Sequence, residues 1–205
     1  RIPTETVYAV LEMTILWGSR PARVLALGLI AAVVTACAST PAPVSGGLRG
    51  RAPAFSEIQP RWGGGEEPRI VDARARLQCV PFARRESGVE IFGDANTWWA
   101  QAAGRYPRSG RPAPGSVFVM RGYNNPGRGH VAVVTRIDSS RLIRVDHANW
   151  LNNGEISTGV PILDVSPNND WSEVRVWHIP GGHWGGRVYA ADGFIHPFSL
   201  SAALS

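Results

Sequence analysis

Cys79 and His130 are the two residues whose types and positions could perform covalent chemistry. Cys79 comes two residues before Pro81, and because proline is tolerated in the first turn of a helix, a helix beginning near Cys79 is predicted. Unpaired N–H groups and the helix dipole favour negative charge there, which makes Cys79 a candidate thiolate nucleophile. His130 opens a strand-like run and is the candidate base. A thiol buried in the core is the alternative interpretation of Cys79 taken alone.

The strand-like run that follows His130 carries further polar side chains. Over residues 142–150, strand alternation places His147 and Asn149 on the apolar face and Asp146 on the other. A carboxylate would hold an imidazole tautomer best, but Asp146 points away from the expected catalytic face. His147 and Asn149 are therefore the candidates on that face. An ordinary strand histidine is the alternative interpretation of His147.

The pattern from residue 70 onward predicts the elements that would position these side chains. One helix is predicted from about Cys79 to Gly88 and a second from Asp94 to Gly104. Strands are predicted over four runs, residues 116–121, 130–137, 142–150 and 173–179. Two helices followed by consecutive strands predict an α+β fold, with the N-terminal helices packed on an antiparallel sheet or half-barrel.

The composition limits the classes of protein to consider. The chain has 205 residues, and its 21 basic residues, all arginine, exceed its 16 acidic ones to give a net charge of +5. The arginines are scattered rather than gathered on one helix face, so nucleic-acid binding is not predicted. With only Cys37 and Cys79, neither a disulfide-rich scaffold nor a structural zinc site is expected. A single Cys37–Cys79 disulfide is the alternative use of the pair.

The N-terminal sequence predicts export. Residues 24–36 form an apolar run that follows Arg20 and Arg23. As a helix this run would rise only about 20 Å, which is too short to cross the hydrocarbon core of a membrane. The pattern is that of a signal peptide over residues 1–36, with Met13 as an alternative start.

The sequence that ends this run predicts a lipid anchor. Residues 34–37 read VTAC, which resembles a bacterial lipobox in which Cys37 is lipidated. Ordinary cleavage after Ala36 is the alternative and would leave a free thiol. Residues 37–69 are rich in proline and glycine and are predicted to form a linker, and a folded domain is predicted over residues 70–199.

Five short motifs resemble the CHAP domain, a family of cysteine- and histidine-dependent amidohydrolases and peptidases. They are QCVPFAR at 78–84, GDA at 93–95 followed by WW at 98–99, PGSV at 114–117, GHVAVV at 129–134 and HANW at 147–150. The ordered set is far more specific than any one motif, and the resemblance covers about residues 70–179. It implies a papain-like fold, a catalytic domain over residues 70–199 and cleavage of amide bonds in peptidoglycan peptides.

The resemblance also implies roles for individual residues. Cys79 would be the nucleophile and His130 the general base, while Gln78 and N–H groups at the start of the helix would bind the oxyanion. The sequence departs from the family at one position, because an acidic residue is usual where His147 stands. From this resemblance we interpret His147 as the residue that orients His130, with Asn149 in support. Neither a metal nor an organic cofactor is required by this mechanism.

The expected partners and location follow from the same resemblance and from the predicted anchor. The partners would be peptidoglycan stem peptides and, through a lipid on Cys37, a membrane that faces the periplasm in the cell envelope. Nucleic acid is not an expected partner. The protein is expected to be a monomer. Two alternatives stay open: a catalytically weak or inactive CHAP-like module that binds the cell wall, and a hydrolase for a different small amide.

Overall fold

The structure is a computed structural model that describes residues 58–62 and 67–199. The predicted signal peptide over residues 1–36, the predicted lipidation site Cys37 and most of the predicted linker over residues 37–69 lie outside the described residues. Within the described ranges, no helix is long and apolar enough to cross a membrane.

The helices are short. They are α1 (Cys79–Ser87) and α2 (Trp98–Gln101), with 3-10 turns at Ala95–Thr97 and Ile179–Gly181. α1 contains Pro81 in its first turn and ends at Gly88, which has a φ of 74° and donates its N–H to the carbonyl oxygen of Arg84. The prediction of a helix beginning at Cys79 and capped by Gly88 is therefore confirmed.

The predicted second helix, from Asp94 to Gly104, is wrong in extent. A 3-10 turn replaces its beginning, and α2 is a single turn that ends at Gln101. The side chain of Asp94 makes no capping hydrogen bond. The carbonyl oxygen of Ala102 instead accepts the N–H groups of both Arg105 and Tyr106, which closes the segment into turns rather than a longer helix.

Strands dominate the described chain, and all their pairings are antiparallel. They are β1 (Arg69–Asp72), β2 (Arg108–Ser109), β3 (Val117–Arg121), β4 (Gly129–Ser139), β5 (Leu142–Ala148), β6 (Ile156–Asp164), β7 (Glu173–His178), β8 (His183–Trp184) and β9 (Tyr189–Ile195). β3, β4, β5 and β7 correspond to the four predicted strands.

Six of these strands close into a barrel. β3 pairs with β4, β4 with β5, β5 with β6, β6 with β7, β7 with β9, and β9 with β3, so the ring of neighbours returns to its start. The expected α+β fold, a papain-like arrangement of N-terminal helices on an antiparallel sheet or half-barrel, is therefore wrong. The described chain is mostly β, with few helices.

Two strands that complete the ring, β6 and β9, are difficult to predict from their own sequences. β6 contains Gly159 and Pro161, and β9 contains Gly193, residue types that usually weaken or interrupt a strand. Both strands nevertheless have neighbours on two sides, since Ile162 of β6 pairs with β5 and with β7. Their pairing is decided by partners distant in the sequence, which local propensity does not reveal.

Two apolar clusters place α1 beside the barrel. The barrel interior contains Phe118 stacked on Phe194, with 4.7 Å between ring centroids. The opposite face of β3 and β4 packs against a second cluster, in which Val131 of β4 lies with Ala83 of α1 and Trp98 of α2. Burying these side chains fixes α1 against β4 and so brings the start of the helix to the strand that carries His130.

Candidate active site

Cys79 is the first residue of α1 and carries a free, half-buried thiol. Burial raises the pKa of this thiol, while backbone N–H groups of Val131, Val80 and Cys79 itself act in the opposite direction. The expected stabilisation of a thiolate by the helix start is present in the N–H groups of Cys79 and Val80, but burial outweighs it. At neutral pH the sulfur is therefore protonated in the resting protein.

His130 lies at the beginning of β4, on the face that continues with Ala132 into the barrel interior. Its ring is buried, and burial lowers the pKa of His130 to about 3, so the imidazole is neutral at physiological pH. Gly129 precedes it because a Cβ there would lie 2.7 Å from the backbone N of Asn96. This close backbone approach holds the start of β4 against the 3-10 turn.

His147 lies behind His130 on the neighbouring strand β5. Nδ1 of His147 is 3.1 Å from Nε2 of His130, and the ring of His147 stacks on that of Trp150 with 5.6 Å between centroids. Burial, followed by the proximity of His130, holds the pKa of His147 well below its usual range. His147 is thus a neutral hydrogen-bonding partner for His130, and it can accept an N–H from Nε2.

Asp146 lies on the opposite side of β5, as strand alternation predicts. Its Oδ1 accepts the backbone N–H of Gly159 in β6 over 2.7 Å. Burial raises the pKa of this carboxyl group. Its hydrogen bond ties β5 to β6 and does not reach the histidine pair.

Asn149 contacts Gln78, and the hydrogen bonds fix the orientation of both amides. The backbone N–H of Gly154 can only donate, so the atom of Asn149 that it contacts at 2.8 Å is the oxygen Oδ1. Nδ2 of Asn149 is then the donor to Oε1 of Gln78 over 2.7 Å. Because Oε1 of Gln78 is engaged, its Nε2 is the group left to donate to a substrate.

Glu155 holds the loop that carries Asn149 and Trp150. It is buried, and its two carboxylate oxygens accept the backbone N–H groups of Leu151 at 2.7 Å and Asn153 at 3.2 Å. Asn149 itself has a φ of 61°, a left-handed conformation that asparagine tolerates well. The role of Glu155 is not predictable from the sequence, since a glutamate after a turn gives no sign that it will be buried.

Cys79 and His130 open into one cavity of about 410 Å³ at the end of the barrel. Gln78, Cys79, His130 and Asn149 line it, whereas His147 is buried behind and is not part of the lining. Trp150 and Tyr189 form an aromatic wall with 5.1 Å between their ring centroids. Four of the five candidate site residues therefore line one space that is large enough for a peptide segment, and the fifth, His147, lies behind it.

A metal site in the described residues would need several ligand side chains held close together. Within residues 58–62 and 67–199, no group of three or more His, Cys, Asp or Glu residues is arranged to hold a metal ion. His196, which lies outside the cavity, is within 2.8 Å of the Ser109 hydroxyl through Nε2.

A family model matches part of this chain, and the match includes several of the site residues described above. The model of the CHAP domain matches residues 71–149, a stretch that includes Gln78, Cys79, His130 and His147 and ends at Asn149. The resemblance to this family is thereby confirmed for that stretch. The family is typically hydrolytic, and its presence suggests activity of the peptidoglycan amidase or peptidase type in general. No curated protein and no solved structure matches the chain.

Proposed function

Since residues 71–149 carry a CHAP domain, we propose that this protein is a cysteine-dependent hydrolase that cleaves amide bonds in peptidoglycan stem peptides, as an amidase or an endopeptidase. One observation carries the proposal. Cys79 and His130 line one cavity, while Nδ1 of His147 lies 3.1 Å from Nε2 of His130. A nucleophile, a base and a group that orients the base are the parts that acyl transfer needs.

The first step moves one proton and forms one bond. Nε2–H of His130 donates to Nδ1 of His147, which leaves Nδ1 of His130 unprotonated and available as the base. As Sγ of Cys79 bonds to the amide carbon, its proton passes to Nδ1. Because the thiol and both imidazoles are neutral at rest, proton transfer accompanies attack and no thiolate forms beforehand.

The tetrahedral intermediate carries negative charge on the former carbonyl oxygen. Nε2 of Gln78, oriented by Asn149, and the N–H groups at the start of α1 are the donors that stabilise it. When the C–N bond breaks, His130 returns the proton to the departing amine and a thioester to Cys79 is left. Water then attacks the thioester with His130 as base, which releases the carboxylic acid and restores the thiol.

His147 gives this centre a different electrostatic character from that of a carboxylate. A neutral imidazole accepts the N–H of His130 but adds no negative charge to compensate the transient imidazolium. The edges and faces of His130, His147 and Trp150 pack together, with His130 and Trp150 centroids 4.9 Å apart. This packing holds the base in place and keeps water from its Nε2 side.

The proposal is tested on purified peptidoglycan. We expect the wild-type protein to release fragments with new amino termini, identified by mass spectrometry, and Cys79→Ser and His130→Ala to release none above background. Circular dichroism of each variant serves as the control for folding. Fragment release by Cys79→Ser at the wild-type rate would contradict the mechanism.

A catalytically weak wall-binding module is the second candidate, and two observations favour it. The orienting residue is His147 rather than a carboxylate, and burial raises the pKa of Cys79. In that case the wild type and Cys79→Ser would sediment equally with insoluble peptidoglycan, and neither would release fragments. The same incubation therefore separates the two candidates.

The cellular setting of this proposal rests on the sequence alone. Export, lipidation of Cys37 and attachment to a membrane facing the periplasm would place a monomeric hydrolase beside its polymer. Labelling cells that express the full chain with an alkyne fatty acid tests this. We expect label on the wild type and none on Cys37→Ser, and an unlabelled wild type would contradict lipidation.

A further inference from the structure

The catalytic cavity has a positive charge that its catalytic residues do not explain. Arg121, Arg128 and Arg187 line it, and no acidic residue does among the described ones. Arg121 is neutralised, because its Nη2 lies 2.6 Å from Oδ1 of Asp192. In the described ranges, no carboxylate forms an ion pair with Arg128 or Arg187. Two cationic side chains therefore face the cavity without an ion-pair partner among the residues that the structure describes.

The Arg187 guanidinium is held in place by aromatic side chains. Its Cζ lies 5.0 Å from the ring centroid of Tyr123, and the Tyr123 ring contacts that of Tyr189 at 5.8 Å. Stacking on an aromatic face leaves the donor edge of a guanidinium available for hydrogen bonds. Arg187 is thus oriented before any substrate arrives.

Arg128 lies in the loop between β3 and β4, and backbone hydrogen bonds order this loop. The Arg128 N–H donates to the carbonyl oxygen of Asn125 at 3.1 Å, and its carbonyl oxygen accepts from Gly122 at 3.0 Å. The side chain of Asn96 also donates to the carbonyl oxygen of Pro126, which ties the loop to the 3-10 turn before α2. A fixed loop reduces the entropy lost when a ligand binds.

We propose that Arg128 and Arg187 form a carboxylate-binding subsite, so that the preferred substrates are amides with a free carboxylate near the scissile bond. This inference rests on the proposed hydrolysis at Cys79. Guanidinium groups match the geometry of carboxylates, and their hydrogen bonds to an anion are stronger than neutral ones. Arg187 also lines a neighbouring cavity of about 290 Å³, beyond Trp150 and Tyr189. Arg187 therefore lies between the two cavities, where a substrate chain would pass from the catalytic centre into the neighbouring cavity.

Binding can be measured without catalysis by using the full chain with Cys79→Ala. The probes are purified muropeptides, either native or with their carboxylates converted to primary amides, titrated by calorimetry. We expect amidation to weaken binding about tenfold, which corresponds to about 1.4 kcal/mol. Adding Arg187→Gln or Arg128→Gln should weaken binding of the native muropeptide and leave binding of the amidated one unchanged. Arg111→Gln, at an exposed arginine outside the cavity, is the matched control and should change neither.

A binding loss that requires both the substrate carboxylate and the arginine side chain distinguishes a carboxylate-binding subsite from a structural role of the arginine. Equal affinity for native and amidated muropeptides, an equal loss on both in Arg187→Gln, or no binding of either would overturn the subsite. Hydrolysis by the otherwise wild-type chain is followed in parallel. If cleavage requires Cys79 but proceeds equally fast on native and amidated muropeptides, the proposed function is retained and the subsite is overturned. Selective binding without cleavage would retain the subsite and overturn the hydrolase.

Discussion

Nδ2 of Asn149 donates to Oε1 of Gln78, so the residue that the sequence suggests as a support for the histidines contacts instead the proposed oxyanion donor. His130 is held by His147, and Gln78 is held by Asn149. The proposed base and the proposed oxyanion donor thus have separate partners, and each can be altered without the other.

The pair formed by Gln78 and Asn149 should act as a unit. Gln78→Ala is expected to lower kcat about 100-fold with little change in KM, because the lost hydrogen bond forms only as the oxyanion develops. Asn149→Ala should lower kcat less, since Gln78 remains but loses its orientation. The double variant should be no slower than Gln78→Ala in single-turnover assays. Fully additive losses would show that Asn149 acts elsewhere.

His147 and Asp146, adjacent in the sequence, should differ sharply in their effect. His147→Ala is expected to lower kcat by roughly 100-fold, because proton transfer through a positioned base contributes about that much or more. His147→Asn keeps an oxygen that can accept from His130 and should recover part of the activity. Asp146→Asn keeps an acceptor for the Gly159 N–H and should change kcat by less than about threefold. A larger loss in Asp146→Asn would contradict the assigned face of β5.

The pH dependence should reflect the buried state of His130. The base must be neutral to accept the thiol proton, and its pKa of about 3 keeps it neutral as the pH falls well below 6.5. We expect kcat/KM to be nearly constant from about pH 5 to 8, with its acid limb below the ordinary histidine pKa of about 6.5. A pH–rate profile with an amidated substrate, which removes substrate carboxylates from the titration, measures this. An acid limb at or above pH 6.5 would mean that His130 is solvated during catalysis.

Glu155 should stabilise the loop that carries Asn149 and Trp150. Glu155→Gln keeps one carbonyl oxygen but places an NH2 group against the second backbone N–H, at a cost of about 1–3 kcal/mol in the free energy of unfolding. Activity should fall as well, because Asn149 loses its fixed position. Glu173→Gln, at an exposed glutamate of β7, is the matched control and should shift stability by less than about 0.5 kcal/mol. Urea unfolding of both variants decides the comparison.

The parts of this site that could be predicted are those governed by local sequence. Pro81 and Gly88 mark the two ends of α1, and period-2 alternation separates His147 from Asp146. The architecture could not be predicted, because barrel closure depends on β6 and β9, where Pro161 and Gly193 mask strands paired with distant partners.

Side-chain environments also lie beyond local sequence. The protonated state of Cys79 follows from burial by neighbours that only the fold assembles, and it reverses the effect expected at a helix start. The same is true of Glu155, whose two acceptors are used only because the loop folds around it.

The closed ring of strands gives the two halves of the catalytic centre unequal resistance to opening. His130 and His147 lie on adjacent strands of the ring, and separating them requires breaking its continuous hydrogen bonds. Cys79 belongs to α1, outside the ring, and is held there by one apolar cluster. Amide hydrogens of α1 should therefore exchange with solvent through a lower-energy opening than those of β4 and β5. Under mild denaturation α1 would move away first and take the Cys79 thiol out of the cavity, while His130 and His147 stayed paired. Inactivation would therefore precede the unfolding of the barrel.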